Sequence, residues 1–321
     1  ESMVAARLIQ ALTVGLFFPV VTSVILTIAP EGKSATLLAI HSGVIGIGLA
    51  FPPLAAGMIL TYVGLRSLFL VPLVMSVVLI VVGVFCLHDI YERQNKKIAA
   101  ISVVLRFVSL AIFIFGLNEV MHDFVPSILC MAVGIVLLVV FSWRQFHIDD
   151  PLLDLSPMKH PKFVVGEVLM MLGYMGSIYM SLLVPLYLEG TAGETAFVAG
   201  TMLTVPILCY AVSCFIGGRI EDKHGVWPLI PCGFLILLAG FIGMEITSSM
   251  MLTIAMIFCV AASFIGVGLV FPTLKAIDLG TLPKSIYAHG SSIHSTLVQI
   301  AGSLGSALFV GIMSADAEKL M

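Results

Sequence analysis

The chain of 321 residues is 60% hydrophobic and 10% charged, with a mean hydropathy of +1.16 and a formal net charge of -3. Soluble domains carry about 25% charged residues, so this composition excludes a water-soluble globule, and the charge balance excludes a basic nucleic-acid footprint. The apolar runs are helix-sized rather than the roughly ten-residue alternating segments of a membrane barrel. The expected class is an all-α integral membrane protein. With Glu1 leading straight into an apolar run and no signal-peptide pattern, the sequence is expected to be an internal piece of a longer protein.

Ten spanning helices are predicted, at about 3–29, 34–62, 67–88, 98–118, 124–145, 163–188, 195–219, 226–247, 251–276 and 286–313, each able to cross a hydrocarbon core of about 30 Å. Basic residues alternate between the connections. One set holds Lys33, Arg93, Lys96, Lys97, Arg144, Lys159, Lys162, Arg219, Lys223, Lys275 and Lys284; the other holds Arg66, and Lys319 lies in the final tail. The positive-inside rule therefore runs the first helix from outside to inside. The longest cytoplasmic connection, His147 to Lys162, carries Leu152, Leu153 and Leu155; it reads equally as a segment on the membrane surface or as an ordinary linker. All six cysteines fall in apolar runs without C-x-x-C spacing, which reads as packing, and no metal site is expected.

The segment Gly15-Leu16-Phe17-Phe18-Pro19 on the first helix returns as Gly268-Leu269-Val270-Phe271-Pro272 on the ninth, and the next proline, Pro30 or Pro283, follows eleven residues after each. An even helix offset gives both copies one orientation, as parallel repeats require. Two helices inserted between six-helix halves would account for an offset of eight, and 98–118 with 124–145 are the natural inserts.

Three motifs carry chemistry. Arg7 and Gln10 read R-x-x-Q followed by Ala11; an ionisable residue inside a span is a functional hypothesis because burying it is costly, although an arginine snorkelling to the outer face would look the same. On the second helix Gly43, Gly46, Ala50, Pro53 and Gly57 recur on one face, a small-residue stripe that lets a neighbouring backbone approach, while Pro52 and Pro53 remove backbone donors. Between the seventh and eighth helices stands Gly218-Arg219-Ile220-Glu221-Asp222-Lys223-His224-Gly225. Its glycines permit close approach of helix ends, and Asp222 can receive hydrogen bonds from a helix end.

The last motif resembles the G-x-x-x-D-K-x-G signature loop of the major facilitator superfamily, in its second-half copy, with Gly218, Arg219, Asp222, Lys223 and Gly225 at the matching positions. Arg7 and Gln10 resemble the family's R-x-x-Q-G motif, and Pro52–Gly57 a degenerate form of the G-P-x-x-G-G antiporter motif, with Pro52 and Ala56 replacing glycines. Leu65-Arg66-Ser67-Leu68-Phe69 stands where the family has W-R-x-x-F, and His289–Ile293 with Gln299–Gly305 resemble the fifth helix of the second half. The chain is similar to the fourteen-helix drug:proton antiporter branch, to which the bacterial multidrug and lincomycin-type efflux proteins belong. The resemblance implies a major facilitator fold with about ten of its helices present. Residues 1–97 would end the N-terminal bundle, 98–145 would be the two inserted helices, 146–162 a cytoplasmic loop, and 163–321 most of the C-terminal bundle. A chain so divided is not expected to transport alone.

Other ionisable groups fall inside spans. Glu167 is the first choice for proton handling, since a desolvated carboxyl exchanges protons nearer neutrality than a solvated one. Glu245 reads as interfacial, His41 and His294 as packing residues, and Arg106 as lying outside the transport path on an inserted helix. Met170, Met171, Met175 and Met180, with Tyr174 and Tyr179, form either an adaptable apolar surface or plain packing. The expected function is proton-coupled multidrug efflux of amphipathic or cationic small molecules from a bacterial plasma membrane by alternating access; the alternative is a symporter or facilitator for a nutrient. The expected partners are the small-molecule substrate, protons and the bilayer, the expected state is a monomer, and the proton gradient replaces a cofactor. Without H-E-x-x-H, paired spanning aspartates or a phosphate loop, and with S-x-x-K only at Ser156–Lys159 in a linker, no enzyme is expected.

Overall fold

Apolar segments in lipid must satisfy their own backbone groups, and a chain without alternating strand patterns does this as helices. The computed structural model describes residues 2–30, 33–62, 70–86, 100–120, 123–148 and 151–320. Among them run ten α-helices: α1 Ser2–Ile28, α2 Ser34–Tyr62, α3 Leu70–Cys86, α4 Ala100–Glu119, α5 Phe124–Phe146, α6 Pro161–Gly190, α7 Ala196–His224, α8 Leu229–Ser249, α9 Thr253–Gly280 and α10 Tyr287–Leu320. Nine are long and apolar enough to cross a membrane, and α3 is shorter in its described part. Arg66, Arg93, Lys96, Lys97 and the Leu65–Phe69 motif lie outside the described residues, as do the side chains of Arg7, Pro53 and Gly57.

Helix ends follow local chemistry. Thr195 caps α7 by accepting the Val198 N–H at 3.4 Å, as an N-cap hydroxyl does. Pro161 starts α6, where a missing N–H costs nothing. Helices α1, α6, α7 and α9 continue through an internal proline, Pro19, Pro185, Pro206 and Pro272, and α2 runs through Pro52 and Pro53.

The core lies where α6, α7, α8 and α9 meet, around Met180, Leu188, Leu203, Val260, Val267 and Val270. The α8–α9 pairing is close because Gly233 and Gly266 face one another; a Cβ on Gly266 would stand 2.8 Å from the Leu237 nitrogen. A second cluster joins Leu38, Phe163, Leu279 and Leu282 at the basic end of the bundle. Leu153 of the α5–α6 connection is buried there, and its N–H donates to Gln145 Oε1 at 3.2 Å. That connection is thus packed on the protein at Leu153, with Leu152 and Leu155 half-buried. By contrast, α3 buries no residue against the described part of the chain.

Helix α10 runs on to Leu320, past the expected 313, and two further boundaries differ from the sequence expectation. Helix α7 runs through Asp222 and Lys223 to His224, and Gly225 at φ 78° makes the turn. Helix α9 reaches Gly280, so Lys275 is a buried residue of a span and not a loop cation.

Candidate functional site

The small-residue stripe of α2 is its face toward α7. A Cβ on Gly43 would stand 2.7 Å from the Phe215 ring and one on Gly46 2.6 Å from the Tyr210 ring, while Ala50 is buried. The Ala50 carbonyl accepts from Thr204 Oγ1 at 3.4 Å. The two helices stay together to their basic ends. There a Cβ on Gly218 would overlap Ala39 and press on the Ala35 carbonyl at 3.1 Å. Asp222 Oδ2 accepts the Thr36 N–H at 3.2 Å and also the Thr36 hydroxyl. Thr36 lies in the first turn of α2, whose free N–H groups favour an anion. The carboxylate of one helix therefore seals the start of another, 186 residues away. Arg219 and Lys223 of the motif are exposed.

Above this seal is a cavity of about 1200 Å³, walled by α1, α2, α4, α6, α7, α9 and α10. Phe18, Tyr174, Tyr210, Phe264 and Phe271 give it an aromatic wall, and the Tyr174 and Phe271 rings lie 6.1 Å apart. Lys275 and His294 reach it near the sealed end and Glu189 at the opposite end.

Behind the floor lies a buried polar cluster. Glu167 is 2% exposed, and its Oε1 and Oε2 lie 2.9 and 3.1 Å from His294 Nδ1, which donates when protonated. Lys275 on α9 is near enough for its charge to act on Glu167 and on His41 of α2. Asp278, one turn further along α9, also interacts electrostatically with Glu167. Its carboxyl occupies the notch left by Gly166, and neither of its oxygens has a hydrogen-bond partner. Burying ionisable groups costs several kcal/mol per charge (an order-of-magnitude figure), and four elements contribute to this one.

The structure thus joins Glu167 to His294, and brings to them Lys275 and Asp278, which the sequence reading had not singled out. Their signal was a K-x-x-D spacing that places both on one face of a helix. It does not bring Gln10 to this cluster; Gln10 is exposed on α1. Met170 and Met180 are buried in the core, and Met170 also lines the cavity. Arg106 is corrected: its Nη2 donates to Thr296 Oγ1 at 2.6 Å, and the residue lines the cavity.

Comparison with known proteins gives this geometry a family. The model of the Major Facilitator Superfamily matches residues 2–306. The chain belongs to that superfamily. This major facilitator chain is 30% identical to the lincomycin resistance protein LmrB of Bacillus subtilis, over 99% of its own length and 68% of that protein. Against LmrB of Listeria monocytogenes it is 26% identical over the same shares. The riboflavin transporter RibZ of Clostridioides difficile is 22% identical, over 96% of this chain and 67% of RibZ. As a major facilitator with apolar spanning helices, the protein is a multi-pass integral membrane protein of a transporter family.

Proposed function

We propose that this chain forms the working part of a proton-coupled exporter of amphipathic small molecules in a bacterial plasma membrane. The observation that carries the reading is the aromatic cavity of about 1200 Å³ with the Glu167–His294 pair buried behind its floor. By the positive-inside rule the sealed end is cytoplasmic and the cavity faces outward. A proton reaching Glu167 would then favour one arrangement of the halves and substrate the other, since each ligand shifts the equilibrium only by its differential affinity. The family resemblance of Gly43–Gly57 to the antiporter motif supports exchange, and the names of the LmrB relatives support a drug as cargo. Arg7 and Gln10 are proposed for coupling on the motif alone.

The test is dye and antibiotic efflux by cells expressing the full gene product that carries these residues. Efflux should stop when the proton gradient is collapsed; export that continues unchanged would sink the antiporter reading. A second reading, uptake or facilitated passage of a nutrient, is favoured by the likeness to the riboflavin transporter, and accumulation against efflux distinguishes the two.

A further inference from the structure

Arg106 has no assigned role, and its surroundings give it one. It stands on α4, whose main partner is α5: Gly116 and Gly134 let these two helices pack closely. From that hairpin Arg106 crosses to α10, half-buried, and gives one nitrogen to Thr296 Oγ1. Among the described residues no carboxylate forms an ion pair with it. A guanidinium offers five donors, and the hydroxyl uses one nitrogen.

The buried acidic groups near the floor do not pair with Arg106. Glu167 is turned to His294, and Asp278 is 1% exposed, packed at Gly166. Glu189 is 22 residues along α6 from Glu167, about 33 Å at 1.5 Å per residue. Arg106 is level with the floor, because its partner Thr296 is two residues from His294. Lys275, 9% exposed, adds a second positive charge to that floor. The cavity therefore has a basic floor, an aromatic middle and its acidic side chain at the far end.

We infer that Arg106 anchors an anionic group of the transported amphipath, a carboxylate, phenolate or sulfonate, with the ring system of the ligand lying between Tyr174, Tyr210 and Phe271. This rests on the exporter reading and narrows it, favouring anionic over cationic cargo. It also makes α4 a specificity element. Bidentate recognition of planar oxyanions suits arginine better than lysine.

Two xanthene dyes test this: fluorescein, an anion at pH 7.4, and rhodamine 6G, a cation. Their binding to the purified full gene product, in neutral detergent, is read by fluorescence anisotropy. Wild type should bind fluorescein more tightly than rhodamine 6G. Arg106→Gln, which keeps a donor for Thr296, should weaken fluorescein at least tenfold and leave rhodamine 6G unchanged or tighter. Arg106→Lys should keep part of the preference, and Thr296→Val should leave it intact. Preference for rhodamine 6G in the wild type, an unchanged fluorescein affinity in Arg106→Gln, or equal weakening of both dyes would overturn the inference. So would displacement of fluorescein by phosphatidylglycerol and not by phosphatidylcholine, which would give the site to a lipid headgroup. Efflux is read separately: fluorescein bound through Arg106 but not moved by the gradient refutes the exporter reading alone, and gradient-driven export of cationic dye only refutes this inference alone.

Discussion

Replacing Asp222 by alanine should loosen the seal at the basic end of the bundle. The carboxylate accepts two hydrogen bonds from Thr36, one from the backbone and one from the hydroxyl, at the first turn of α2. Losing a side-chain cap costs about 0.5–2 kcal/mol, and removing a charge from a helix N-terminus about 0.3–1 kcal/mol more. Asp222 is exposed, so water refills part of the loss, and a total of roughly 2 kcal/mol is reasonable. At 1.4 kcal/mol per decade, the balance between sealed and open arrangements moves about thirtyfold. Spin labels at the exposed positions Lys33 and His224 would report the separation of α2 and α7 by pulsed electron resonance, in nanodiscs holding the full gene product. The wild type should give one short distance; Asp222→Ala should add a longer one, and Asp222→Asn, which keeps an acceptor but loses the charge, should fall between. A melting temperature close to wild type would show the variant folded. Superimposable distance distributions for wild type and Asp222→Ala would refute the idea that this carboxylate holds the seal.

Further predictions concern the cluster, the seam and the linker. Glu167→Gln keeps an acceptor for His294 but cannot lose a proton, so gradient-driven efflux should fall at least tenfold while dye binding persists; retained gradient dependence would remove Glu167 from coupling. Gly218→Ala should destabilise by roughly 1–3 kcal/mol, because its Cβ meets Ala39 and the α2 backbone. The nearest atoms that Gly43→Ala meets belong to the Phe215 ring, which can swing aside, so it should cost less in the same thermal melts; the reverse order would contradict the packing. Asp154 lies in the α5–α6 connection, between the spans. Partial burial works against its charge, but the Ser156 N–H at 2.8 Å, the Ser156 hydroxyl, His289 and Lys159 together hold its carboxyl below the ordinary aspartate range. A depressed folded pKa gives stability that is complete above the unfolded value, about 3.9, and is lost as pH falls through the lower folded value. Protection of the linker amides in hydrogen exchange should therefore hold at pH 5 and decline below about pH 4, and Asp154→Asn should show weaker protection at pH 5 with little further decline.

What the sequence made visible and what it hid divide along physical lines. The helices could be read because lipid leaves the backbone few options, and apolar length is a local property. Asp222 could be singled out because a glycine-bounded charged turn is unusual in so apolar a chain, yet Thr36 could not, because the contact spans 186 residues. Lys275 was taken for a loop cation since charge ordinarily marks the end of a span; here it is buried near Glu167 of α6 and His41 of α2, and α9 continues to Gly280. Arg106 was set aside because connectivity put it on an inserted helix. Connectivity does not fix where a hairpin docks, and α4 reaches α10 through a single arginine–threonine bond as well as apolar packing.

The two G-L-x-F-P segments now stand in unlike surroundings. In α1, Gly15, Leu16, Phe18 and Pro19 border the cavity, whereas in α9 Gly268, Val270 and Pro272 are enclosed by neighbouring helices, with Gly268 against Ser213 and the Tyr210 carbonyl. Near-identical words therefore face different selection. Substitutions in the first can retune which molecules are accepted while the bundle stands, whereas in the second only Phe271 reaches the cavity among these positions, and changes at Gly268, Val270 or Pro272 would be tested first for whether the protein folds. Drug-challenge libraries should harvest changed specificity from residues 15–19 and from the cavity-lining Phe271, and mostly loss of protein from Gly268, Val270 and Pro272.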